Sequence, residues 1–199
     1  KKKTRGMVAI EKGLDSLADS MLTMSDSEIE KEAEKYIKTD NEDSALNVET
    51  VQDALNGAKD ILAERISQDS ANRSAILDLY MQQGNIKTKG IVPEGQTEEE
   101  AAKTSTYQMY WDYSEPLNQI KPHRILAINR AEREGALDVT IDVDVDSAVN
   151  LITKKNTITN KYFAEAIEDG IVRLLSPAVI REIRSNEADE ADEHGIGIF

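Results

Sequence analysis

The stretch from Ser114 to Gly135, SEPLNQIKPHRILAINRAEREG, gathers one of the chain's two histidines, His123, with Lys121, Arg124, Arg130 and Arg133 and with Glu115, Glu132 and Glu134. Three chemistries could use such a mixture. A histidine among carboxylates suits acid–base or metal work. Clustered Arg and Lys suit phosphate. Charges of both signs around an apolar helix suit an ion-paired packing face.

The metal reading fails on spacing. His123 and His194 are far apart, HExxH is absent, no companion histidine stands one turn away, and the chain has no cysteine. In DVDVDS, Asp142, Asp144 and Asp146 match positions 1, 3 and 5 of an EF-hand loop, but Ser147 stands where Gly should turn the chain and Thr153 where a bidentate Glu should close the site. That alternation reads as the solvent face of a strand. No GxSxG, Walker or dinucleotide glycine pattern is present, so neither an enzyme nor a cofactor site is expected.

The nucleic-acid reading meets a charge problem. A net charge of −14 opposes general phosphate binding, because that affinity rests on Lys and Arg displacing counterions. Any such contact must be local, and Lys121, Arg124, Arg130, Arg133, Lys154 and Lys155 could supply it. Tyr107, Tyr110, Trp111 and Tyr113 could stack on bases, but helical spacing predicts that they are core.

Composition and periodicity define the elements that must position these residues. Across 199 residues, 39% hydrophobic content supplies a core, and aromatics at 5% favour helices packed through aliphatic side chains. The expected fold is mainly α and multi-helical, with helix-turn-helix-like packing and a small β-ribbon. Leu14, Leu17, Ala18, Met21 and Leu22 form one stripe of a helix from Glu11 to Thr23. Ser25 and Glu28 have capping-box spacing ahead of a second helix carrying Ile29, Ala33, Tyr36 and Ile37. Val51, Leu55, Ala58, Ile61, Leu62 and Ile66 mark a third helix, and ANRSAILDLYMQQ a fourth ending at Gly84. The character then changes, which divides the chain into an N-terminal helical part, 1–84, and a second helical part with short strands, 85–199. NIKTKGIV (85–92) alternates like a strand, as do Leu137, Val139, Ile141 and Val143, and the two are expected to pair. Helices follow at SAVNLITKK and NKYFAEAIEDGIVRLLS, and Ser176 as N-cap with Pro177 at N1 is expected to restart one more. The absence of cysteine fits a reducing cytoplasm. An opening without Met and the apolar end HGIGIF suggest a piece of a longer protein.

Within this frame Pro116 and Pro122 bracket an extended link, and Pro122 starts a helix that ends at Gly135. Ala127 and Ala131, one turn apart, let a neighbouring helix approach closely. Arg124 shares their face, and a buried guanidinium requires a carboxylate, for which Glu115 and Glu132 are the nearest candidates. Arg130 and Glu134 form an i, i+4 pair. The stretch therefore predicts an ion-paired, proline-bracketed helix that fixes how two parts of the fold meet.

YSEPLNQIKPHRILAINRAEREGAL closely resembles the signature of the Tex family of bacterial transcription accessory proteins. EKGLDSLADSML, VQDALNGAKDILAERISQDSANR, RLLSPAVIREIR and ADEHGIGIF match as well, so the resemblance covers essentially the whole chain. Ala131 stands where the family commonly has Gly, and Ile180 where an acidic residue commonly precedes Arg181; both substitutions suit helices. The resemblance implies a helical region leading toward an RNase H-like domain, helix-hairpin-helix modules and an OB-fold domain that binds nucleic acid. It implies a scaffold and interaction region acting in transcription, without catalysis. Its partners would be the remaining domains, RNA polymerase and, mainly through those other domains, RNA or DNA. Direct nucleic-acid binding through the local basic residues is the alternative.

Overall fold

A computed structural model describes the chain from residue 2 to residue 198, apart from the side chains at 188–190 and 192–198. His194 and the terminal apolar run HGIGIF thus lie outside the described side chains. The chain is mainly helical with a small three-stranded antiparallel sheet. Helices α1 (Arg5–Glu11) and α2 (Asp15–Ser20) replace the single helix expected from Glu11 to Thr23. The apolar stripe holds at Leu14, Leu17, Ala18 and Met21, which are buried, but not at Leu22, which is exposed. Gly13, however, adopts φ +79°. Its amide donates to the Ile10 carbonyl and the Leu14 amide to the Ala9 carbonyl, the paired bonds that close a helix end through a left-handed residue.

Helix α3 (Asp26–Ala33) starts with the expected capping box between Ser25 and Glu28. Helix α4 (Val51–Gln68) buries Leu55, Ala58, Ile61, Leu62 and Ile66 as its periodicity predicts. After α5 (Ser70–Gln83) come β1 (Asn85–Gly90), α6 (Glu98–Thr104), β2 (Asp112–Pro116), α7 (Pro122–Arg133), β3 (Leu137–Asp142) and α8 (Val145–Thr153). Helix α9 (Lys161–Asp169) passes into a π-helical stretch, Gly170–Leu175, and that into α10 (Ser176–Ile198). Ser176 is therefore not an N-cap: it holds φ −60° and ψ −47°, inside a helix. Pro177 removes an amide donor and crowds the carbonyl one turn back, and a wider π turn upstream accommodates that without ending the helix.

Contacts gather in two compact units, each discontinuous in sequence: Lys1–Ile76 with Val145–Pro177, and Leu77–Asp144 with Ala178–Phe199. In the first, α4 is the central helix, packed against α1, α2, α3, α9 and the π-helical stretch. Fully buried Ala54, Ala58 and Ala63 allow these close approaches. Buried Asn160 caps α9 by accepting from the Phe163 amide at 2.8 Å, and its Nδ2 donates to the carbonyls of Met21 at 2.7 Å and Met24 at 2.8 Å.

In the second unit the sheet order is β2-β1-β3. The expected pairing of β1 with β3 is present, from Asn85 opposite Asp142 to Gly90 opposite Leu137. Strand β2 adds a third member, running from Asp112 opposite Lys89 to Pro116 opposite Asn85. The aromatic segment is not a helix: a 3-10 turn, Gln108–Tyr110, leads directly into β2. Its core assignment holds for Tyr110, which is buried, whereas Tyr107, Trp111 and Tyr113 are half-buried.

Helix α7 ends as α1 does. Gly135 has φ +74°, its amide donates to the Glu132 carbonyl at 3.0 Å, and the Ala136 amide donates to the Ala131 carbonyl at 2.9 Å. A Cβ at Gly13 or Gly135 would meet nothing within 4 Å, so alanine there costs only backbone strain. Gly13→Ala and Gly135→Ala are each expected to lower unfolding free energy by about 1 kcal/mol in urea titrations, with Asn recovering part of the loss.

Candidate interaction surface around helix α7

The sheet has two unlike faces. On one, Lys87 pairs with Asp142 at 2.9 Å, and Lys89 stands opposite both Asp112 and Asp138. The other carries Ile86 and Thr88 from β1, Val139 and Ile141 from β3, and Tyr113 and Glu115 from β2. Helix α7 packs on this second face, where Ile125 lines a small apolar cavity with Ile86, Leu117 and Ile141. Ile125, Ile128 and Ala131 are buried and Ala127 is half-buried, so the small-residue face is turned inward chiefly at Ala131.

Glu115 is the residue that this packing must accommodate. Its side chain is 13% exposed, and its Oε1 is buried without a hydrogen-bond partner. Arg124 supplies the counter-charge: its Nη1 donates to Glu115 Oε2 at 2.7 Å and to the Tyr113 hydroxyl at 2.9 Å. Of the two carboxylates that the sequence offers Arg124, the structure selects Glu115. The guanidinium carbon also lies 5.9 Å from the centre of the Tyr113 ring, which meets Tyr110 edge to face at 5.4 Å. Burial, reinforced by the Glu115 charge, pushes the Tyr113 phenol above its ordinary pKa.

Glu132 takes a different partner. Arg184 of α10 grips it with both terminal nitrogens, Nη1 to Oε2 at 2.9 Å and Nη2 to Oε1 at 2.6 Å, and Nη2 also donates to Asn129 Oδ1 at 3.2 Å. Such a two-pronged pair fixes orientation as well as charge. Helix α7 is thus held near its start by Arg124 and near its end by Glu132. The sequence foretells the need for the first clamp. It says nothing of Tyr113, Asn129 or Arg184 in these roles, and Arg184 stands 52 residues from Glu132, beyond any local pattern.

The other singled-out residues fall around this frame. Lys121 is the N-cap residue and Pro122 the N1 residue of α7; Lys121 and His123 are exposed, and Pro116 closes β2. Arg130 and Glu134 form the expected exposed pair at 3.4 Å. Glu134 also accepts from the Tyr107 hydroxyl at 2.6 Å, a bond that raises the pKa of that phenol. Arg133 is exposed and makes no ion pair among the described residues. Of the six cations expected to form a basic patch, Arg124 and Arg130 are engaged with carboxylates. Lys121 and Arg133 are exposed in the second unit, and Lys154 and Lys155 follow α8 in the first. Among the described residues, no group of three or more His, Cys, Asp and Glu side chains could hold a metal ion. No helix among them is long and apolar enough to cross a membrane.

Together these features define a mainly helical, acidic chain whose second unit is built on a small sheet. Residues 25–199 match the family model described as Tex central region-like, and the chain belongs to this family. It is 37% identical to YdcI of Bacillus subtilis (strain 168) over all of its length and 27% of that protein's. To the transcriptional accessory protein Tex of Neisseria gonorrhoeae it is 32% identical, over 73% of its own length and 18% of that protein's. An S1 RNA-binding domain-containing protein of Pongo abelii is 25% identical over the whole chain, which spans 20% of it. The chain therefore covers roughly a quarter or less of the relatives it matches. The Tex resemblance read from the sequence is established for this region.

Removing Arg124 strands a buried carboxylate. Arg124→Met is expected to cost about 2 kcal/mol in urea unfolding, and adding Glu115→Gln should return at least half of that. Additive losses in this double-mutant cycle would show that the two residues are not coupled.

Proposed function

We propose that this region is a helical scaffold and protein-docking part of a transcription accessory protein whose main nucleic-acid grip lies in other domains. The observation that carries the reading is the double clamp on α7. The segment bearing the family signature uses its charged side chains to hold α7 rigid, with Arg124 on Glu115 and Glu132 on Arg184. The family membership supports transcription as the process, through the relative named as a transcriptional accessory protein. The relative named for an S1 RNA-binding domain supports RNA as the nucleic acid of the longer protein.

The charge of −14 favours protein partners over nucleic acid for most of this surface. The docking face is the exposed side of α7 around Lys121, His123, Arg130 and Arg133, and its partners are the remaining domains of the longer protein and RNA polymerase. The region works in the cytoplasm and carries no catalytic activity of its own. Direct nucleic-acid binding by all six cations is the less supported reading, because Arg124 and Arg130 are already engaged.

Co-precipitation of the tagged chain with purified core RNA polymerase, and separately with the downstream domains of a Tex relative, tests the reading. Capture of either one, weakened by Lys121→Glu with Arg133→Glu, is the expected result. Capture of neither would remove the docking role.

A further inference from the structure

We infer that the groove between the C-terminal turn of α7 and the part of α10 around Arg181 binds a phosphate of a single-stranded nucleic-acid backbone. The choice of a nucleic-acid phosphate over other anions rests on the reading of this chain as part of a transcription accessory protein. The groove itself rests on geometry. It is a shallow, open depression of about 480 Å³ rather than an enclosed cleft. Three arginines line it, Arg133, Arg181 and Arg184, against a single carboxylate, Glu132.

That carboxylate is already satisfied. Both terminal nitrogens of Arg184 bind it, which leaves Arg133 and Arg181 without an ion pair among the described residues, both exposed at the groove. Two guanidiniums without an ion pair among the described residues thus line one depression of a chain of net charge −14. A guanidinium presents its donors in a planar fork that matches phosphate oxygens. Ile180 adds an aliphatic side chain to the lining, and Ser185 a hydroxyl. The Arg184–Glu132 pair holds the two helices in register on either side, so the groove is formed before anything binds.

The C-terminal end of α7 and the overall charge both oppose an anion, so binding is expected to be weak, indifferent to base sequence and steeply salt-dependent. This site differs from the six-cation patch: it keeps Arg133, gains Arg181, and does without Lys154 and Lys155.

Fluorescence anisotropy of a short labelled oligouridine, titrated with the 199-residue chain at about 50 and about 200 mM salt, tests the inference. The wild type should bind at the lower salt. Arg133→Glu with Arg181→Glu should weaken binding by about tenfold or more and flatten the slope of log K against log salt by about 0.7, for one phosphate contact on a single strand. Lys154→Glu with Lys155→Glu should leave that groove-dependent component intact. Arg133→Gln with Arg181→Gln removes the same charges without adding carboxylates and gives the same answer if the reversal variant fails to fold. Absence of oligouridine binding by the wild type, or equal loss in both lysine and arginine variants, would overturn the inference. Displacement of the RNA by inorganic phosphate or polyglutamate as readily as by unlabelled RNA would also overturn it, in favour of a general anion site. Absence of oligouridine binding by the wild-type chain, alongside intact capture of RNA polymerase by that same chain, would sink the groove and leave the docking reading in place.

Discussion

A carboxylate on the inward face of a strand cannot be left without a counter-charge, and the second unit is arranged around that constraint. Glu115 alternates with Tyr113 toward α7, and its register partner on β1 is buried Ile86. Arg124 can neutralise it only if the first turn of α7 lies over β2. A 3-10 turn, Leu117–Gln119, brings the chain round, anchored by buried Leu117, whose amide donates to the Gly84 carbonyl at 2.9 Å. Pro122 then starts the helix with its fixed φ. Once that start is set, Ile125, Ile128 and Ala131 fall inward and Glu132 falls beside Arg184. The same inward charge guards an exposed edge: β2 ends the sheet on one side, and a buried carboxylate there discourages pairing with another chain.

The partition of cations follows from this economy of charge. Arg124 and Arg184 are consumed holding α7, and the lysines on the outer sheet face stand among aspartates. In so acidic a chain the cations left over define where an anionic partner can land. The chain itself covers about a quarter of the Tex-family relative from Bacillus subtilis.

Periodicity made the helical core readable. The stripe of α4 and the capping box of α3 are where the pattern places them, and the alternation in β1 and β3 correctly predicts their pairing. It missed the break at Gly13 because one left-handed residue can interrupt a helix while the apolar residues on both sides still face the core. It missed β2 because the inward residues of that strand are a phenol and a carboxylate, which no hydrophobic pattern selects. The charge rule reached further than periodicity. A buried arginine demands a carboxylate, which narrowed the partner of Arg124 to two residues, one of them correct. The partner of Glu132 was illegible because only the folded chain brings Arg184 to it.

Hydrogen–deuterium exchange along α7, in the wild type and in Arg124→Met, tests the central claim most directly. If the Arg124–Glu115 clamp holds α7 on its sheet, amides from Ile125 to Arg133 exchange as slowly as those of β1 in the wild type, and the variant speeds α7 while α4 stays protected. Rapid exchange of α7 in the wild type, or no change on removing Arg124, would contradict it.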